Sequence, residues 1–237
     1  MDIHKPKPWH GVREFLKEYV IIVVGVLTAL GAEAVVQNLH DARLAEEARQ
    51  AVRDELNLDI TNMAVRFSWD ACVIRRLDEI DALLDRAEAG GSFAPPGAVG
   101  TPRNRAIYAE RWETAKSGGR LSLISSEEQR ALARAYGQLE QVRETQQQEL
   151  QVWHRLHALR GRRRLSPDMI TVQRLAVTEA RDLDANVHNS FIQGQFFARK
   201  VGVKGNALLQ IPPSEAKSGP AICQPLGALP PQKPGPR

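Results

Sequence analysis

His154 and His157 stand three apart in the run Trp153-His154-Arg155-Leu156-His157, which puts both imidazoles on one face of a helix. Two such imidazoles can share a metal ion. A zinc or copper site needs a third or fourth ligand, and no spacing marks one. The pair reads as surface or half-buried histidines, and no metal or cofactor is expected. Just downstream, Arg160, Arg162, Arg163 and Arg164 form a basic knot. It suits a phosphate, an anionic lipid headgroup or an acidic partner. It equally suits a helix C-terminus, where cations offset the macrodipole.

The acids Asp54, Glu55, Asp59, Asp78, Glu79, Asp81 and Asp85 crowd one stretch. Paired carboxylates do acid–base work only where a pocket shifts their pKa values. Arg53, Arg66, Arg75, Arg76 and Arg86 are interleaved with them, which reads as a solvated, salt-bridged helix face. No nucleophile elbow and no Gly-rich phosphate loop appears. The expectation is that the chain is not an enzyme. Cys72 lies three residues after Trp69, so a packed thiol is the simpler reading. In an oxidising compartment Cys72 and Cys223 could instead bond and tie the C-terminal tail down.

These groups need elements to hold them. A chain of 237 residues suits one domain with appendages. Aromatics are 5%, so the core must be Leu, Val, Ile and Ala, as in helical bundles. The net charge of +4 is mild and the signs are mixed, so no nucleic-acid partner is expected.

Leu39 to Glu88 contains no Pro or Gly and repeats apolar residues at steps of three and four, which predicts one long amphipathic helix. Asn57, Asp59, Thr61 and Asn62 are poor helix formers and predict a bend there. Gly90 to Pro102 reads as a loop, and Asn104 to Lys116 as a short helix. Ser125 and Glu128 form a capping box that opens a helix running to about Leu159. Ser166 reads as an N-cap, with Pro167 at the first helical position, for a last helix that fades near Gly202. Beyond Ile211 lie eight of the fourteen prolines, so residues 206–237 are expected to form a disordered tail. The soluble part, 37–205, is expected to be an all-α, irregular bundle of long helices.

The most apolar stretch is Tyr19 to Val36, YVIIVVGVLTALGAEAVV. Its eighteen residues reach about 27 Å as a helix, close to a hydrocarbon core of roughly 30 Å. It predicts a membrane-spanning helix at 19–36. The leader, 1–18, places Trp9, Val12, Phe15, Leu16 and Tyr19 on one helical face, with Lys5, Lys7, Arg13 and Lys17 free to meet headgroups. The cationic leader favours a cytoplasmic N-terminus and a bundle outside, in the periplasm of a bacterium. Ala32-Glu33-Ala34 also fits a signal-peptide cleavage site, although the acidic, amphipathic leader argues against one. Gly25, Ala29 and Glu33 share a face, and the two small residues let a second copy approach closely. A homodimer through this helix is one expectation. The other is that Glu33 sits at headgroup level and touches water.

Glu18, then Gly25-Val26-Leu27-Thr28-Ala29-Leu30, resembles the E-x6-G-(I/V)-L-x-A-L pattern of a group of uncharacterised bacterial single-pass membrane proteins. Trp112, Ala115, Ser117, Gly118 and Leu121, with Tyr136 downstream, are similar to a second, looser pattern of that group. This chain departs from the group after Leu30, where Gly31-Ala32-Glu33-Ala34 replaces a polar, Trp-containing stretch. The resemblance implies one span near the N-terminus and a helical soluble part, in a bacterial inner membrane. It implies no activity. The expected function is a membrane-anchored protein-interaction or scaffold module with an unknown protein partner. The alternative is a bundle that binds a small anionic molecule near Trp112, Trp153 and the arginine knot.

Overall fold

A computed structural model describes residues 11–92, 96–205 and 220–227. All five long elements are helical, and no strand occurs among the described residues: α1 (Val12–Phe67), α2 (Asp70–Glu88), α3 (Glu110–Ser117), α4 (Ser126–Leu156) and α5 (Pro167–Lys200). Short 3-10 turns lie at Arg120–Leu123, His157–Leu159 and Ala221–Cys223. The all-α expectation stands. The leader residues 1–10, with Trp9, Lys5 and Lys7, lie outside the described residues.

α1 is a ruler for the molecule. It runs unbroken for 56 residues, from the leader through the apolar stretch into the bundle. Its large apolar side chains from Val12 to Leu39 are exposed except the half-buried Val23, and its first buried residue is Ala45. Residues 37–40 are exposed, and Asp41 and Leu44 are half-buried. From Ala45 onward α1 buries Ala48, Val52, Leu56, Ile60 and Met63, a stripe at helical spacing.

The helix runs unbroken through 57–62. The break falls at Ser68 and Trp69, where the Ser68 hydroxyl donates back to the Val65 carbonyl at 2.6 Å. Packing against α4 and α5 overrides the weak propensities of Asn57 and Asp59. α2 then continues in the same sense, since Asp78 and Asp81 meet Arg181 while Asp85 and Glu88 meet Arg174, farther back on α5. Residues 96–109 return past α2 and α1 as irregular chain. The short helix expected over 104–116 begins only at Glu110. α4 rises parallel to α1, with Glu128 beside Arg49 and Arg53, and Glu149 beside Arg66. α5 descends against it.

The helix starts follow the expected capping chemistry. Ser125 Oγ accepts the Glu128 N–H at 3.2 Å, and Ser166 Oγ accepts the Met169 N–H at 3.3 Å. The capping box is half used. The Glu128 carboxylate turns to Arg49 and Arg53 on α1.

The tail departs from expectation. Residues 206–219 and 228–237 lie outside the described residues, but 220–227 are docked. Ile222 and Leu226 are buried, and Cys72 is disulfide-bonded to Cys223. The packed free thiol at Cys72 is therefore replaced by a bond that staples the tail to α2. The core is in two parts. One joins α1, α3, the first half of α4 and the second half of α5. The other joins α2, the end of α4, the first half of α5 and the docked tail.

Candidate functional site

The sequence marked the acids on α1 as a solvated face. The structure corrects this for Glu55 and Asp59, which are buried. Glu55 accepts the Arg111 N–H at 2.8 Å, the Trp112 N–H at 3.1 Å and the Tyr136 hydroxyl at 2.9 Å. Those two amides belong to the first turn of α3, whose own N-cap residue, Ala109, supplies no side-chain bond. Glu55 thus caps α3 from a neighbouring helix, where a carboxylate also favours the positive end of the dipole. Asp59 accepts the Tyr108 N–H at 3.0 Å, and Asn62 donates to the Ala106 carbonyl at 3.1 Å. These side chains satisfy backbone groups of a segment that lies in neither helix nor sheet. Burial pushes the Asp59 carboxyl up to about 8, against the Tyr108 hydrogen bond, which lowers it. Burial, then Glu55, pushes the Tyr136 hydroxyl up.

A second buried charge layer separates the two cores. Arg66 and Glu149 are each 1% exposed, and Arg66 Nη2 donates to both Glu149 oxygens at 2.9 and 2.8 Å. Asp184 lies 3.2 Å from the same nitrogen, and Asp70 lies 3.4 Å from Nη1. His188 reaches Asp70 at 3.3 Å and packs its ring edge on Phe67. Burial lowers the Arg66 guanidinium, but Glu149 and Asp184 outweigh it and raise it. Burial raises the Glu149 and Asp70 carboxyls despite Arg66. This layer sits at the α1–α2 break. Arginines interleaved with acids were visible in the sequence, but nothing there marked these as buried.

Arg76 is a third such group, fully buried among carbonyls. It donates to Ala98 at 2.9 Å and to Val99 from the 96–109 segment, and to Ile222 at 3.3 Å and Gln224 from the tail. Glu79 neutralises it at 3.0 Å and also accepts the Leu226 N–H at 3.2 Å. Burial lowers the Arg76 guanidinium.

The residues singled out from sequence fall at opposite ends. Gly25, Ala29 and Glu33 are all exposed on α1, and a Cβ at Gly25 would meet nothing within 4 Å. Thr28 on that stretch returns its hydroxyl to the Val24 carbonyl at 2.8 Å. Arg160, Arg162, Arg163 and Arg164 are exposed at the far end of α4. Counting along α1 from Val36 to Arg53, then along α4 from Glu128 to Leu156, puts the knot roughly 68 Å of helix beyond the apolar stretch at 1.5 Å per residue. Trp112 stacks on Tyr136 at 4.9 Å beside the lower core, whereas Trp153 is buried in the upper one. The two tryptophans therefore do not share one cavity with the knot.

Around the knot, a cleft of about 540 Å³ is lined by residues 98–101, Arg103, His157, Arg160 and the docked tail at Pro220 and Ala221. His157 Nε2–H donates to the Gly100 carbonyl at 3.1 Å, and its ring lies 5.9 Å from that of His154. No group of three His, Cys, Asp or Glu residues that could hold a metal occurs among the described residues. No family model, curated protein or solved structure matches this chain.

Proposed function

We propose that the chain is a single-pass membrane protein that carries a protein-interaction or scaffold module on a rigid stalk. One observation carries the reading. α1 is a single helix whose N-terminal part is long and apolar enough to cross a membrane, while its C-terminal part is a core element of the bundle. Among the described residues, nothing buries the apolar part. In water such a surface would associate or aggregate, and a bilayer removes that cost. The likeness of this segment to bacterial single-pass proteins accords with an inner-membrane location.

The cysteines bear on the side of the membrane. A Cys72–Cys223 bond persists only where thiols are oxidised, which supports a bundle outside the cytoplasm, in the periplasm of a bacterium. The cationic leader supports the same orientation. A scaffold role is favoured because the buried acids and bases are each committed to holding backbone or one another. A homodimer through Gly25 and Ala29 is compatible with the open face around them.

Topology tests the reading. Alkaline phosphatase fused after residue 60 or at the C-terminus should be active, and the full chain should resist extraction from membranes by alkali. A fluorescent cytoplasmic reporter at the C-terminus, or full release by alkali, would overturn it.

A further inference from the structure

Residues 220–227 lie in a groove that grips them at several points. Arg76 on α2 is fully buried. It donates to the Ala98 and Val99 carbonyls on one side and to the Ile222 and Gln224 carbonyls of the tail on the other. Glu79 pairs with Arg76 and accepts the Leu226 N–H at 3.2 Å. Arg75 donates to the Cys223 carbonyl at 2.6 Å, and Gly97 N–H donates to the Leu226 carbonyl at 2.8 Å. Ile222 and Leu226 are buried in the same core as Val73, Leu77 and Val99. Gly100 takes φ +76°, and a Cβ there would lie 2.8 Å from the Ile222 Cα. The groove thus reads main-chain groups and takes two apolar side chains, which is how a peptide segment is recognised.

One covalent bond secures the segment. Cys72 of α2 is bonded to Cys223, and both are half-buried, so a thiol can reach them. Ordering residues 220–227 costs entropy comparable to what the two apolar anchors and the hydrogen bonds return. Without the bond, docking is close to balance.

We propose that the Cys72–Cys223 bond is a redox latch: a dithiol reductant opens it, and residues 220–227 leave the groove. One thiolate of the dithiol attacks one cysteine sulfur, the S–S bond breaks, and the other cysteine departs as a thiolate and takes a proton. The second thiol of the reductant then displaces the first cysteine. Two electrons and two protons pass to Cys72 and Cys223, and the dithiol becomes a disulfide. Release strips Arg76 of two of its four carbonyls and Gly97 of its acceptor, so residues 96–100 loosen with the tail. The lower core contains no residue of the segment and stays closed. The latch gives the interaction module proposed above a regulated groove, and it rests on that reading only for its role. Opening is measured on the purified chain, so failure of the latch and failure of the topology are separate results.

The test is pulsed hydrogen exchange of the full chain in neutral detergent, oxidised and after dithiothreitol. In a brief pulse, reduction should expose the Leu226 and Gly97 amides while Leu132 to Val142 on α4 stay protected. Cys72→Ser with Cys223→Ser should behave as the reduced chain does. A bond that dithiothreitol leaves intact in the folded chain would overturn the latch. So would a tail that stays protected in the double variant, or that opens only together with α4. Capture of a peptide tests the groove itself. A full chain with Ile222→Ser, Cys223→Ser and Leu226→Ser leaves Cys72 free to bond a synthetic peptide of residues 220–227. The native peptide should be captured several-fold faster than one carrying Ile222→Ser, and equal rates would show that the groove does not recognise the segment.

Discussion

Arg66 Nη2 lies 2.8 Å from Glu149 Oε2, and both side chains are 1% exposed at the level where α1 gives way to α2. The pair fills the gap between two apolar cores with charge. Such a pair contributes little net stability, but a lone member is costly to bury. Glu149→Leu should therefore destabilise the fold by about 3–5 kcal/mol. The double variant Arg66→Met with Glu149→Leu should lose less than the sum of the single losses. Urea unfolding of all four proteins measures this, and additive losses would show that the two residues do not act together.

Glu55 holds the first turn of α3 from α1. Glu55→Ala leaves two amides and the Tyr136 hydroxyl without that acceptor. A loss of about 2–4 kcal/mol is expected from unmet buried donors. Hydrogen exchange should rise at Arg111 and Trp112 before it rises on α4. Uniform exchange across the bundle would mean that the carboxylate does not cap α3 specifically.

Asp59 gives the chain a pH dependence. Its carboxyl is pushed up to about 8 by burial, from an ordinary value of 3.8. The folded state therefore binds the proton more tightly than the unfolded one. Its contribution is fully present below about pH 4 and is lost as pH rises towards 8. Relative to Asp59→Asn, the native protein should lose about 1 kcal/mol per pH unit between pH 5 and 7. A pH-independent difference in unfolding free energy between the two proteins would sink this assignment.

The Cys72–Cys223 bond closes a loop with a sequence separation of 151 residues. Cys72→Ser with Cys223→Ser should cost about 2–5 kcal/mol, chiefly by freeing the unfolded chain. Differential scanning calorimetry should show a lower Tm for this variant and for the reduced native protein alike. Peptide mapping by mass spectrometry should find the linked pair only before reduction.

A dimer through α1 would show helical periodicity in crosslinking. With both native cysteines replaced by Ser, Gly25→Cys and Ala29→Cys should crosslink several-fold more than Leu27→Cys in native membranes. Equal yields at all three positions would dismiss a seam on that face.

Much of the secondary structure is legible because it depends on local rules. Ser125, Ser166 and Pro167 start α4 and α5 where capping chemistry puts them. The apolar run at 19–36 and the stripe from Ala45 onward both appear in α1. The helix is continuous through 57–62 because tertiary packing outweighs a few tenths of a kcal/mol of propensity per residue. α3 starts later than the expected Asn104 because residues 104–109 give backbone hydrogen bonds to Asp59, Asn62 and Gln146, which lie on other helices.

The sequence alone determined the helical class, the caps and the apolar length, since each is a property of neighbours along the chain. Tertiary structure decided which charges are buried, because Arg66, Arg76, Glu55 and Glu149 look like any solvated residue until remote segments close over them. It also decided that the proline-rich tail docks at Ile222 and that Cys223 meets Cys72. The arginine knot shows the same division. Its charge was plain in the sequence, but its cleft exists only because the 96–103 segment and the stapled tail fold against the end of α4.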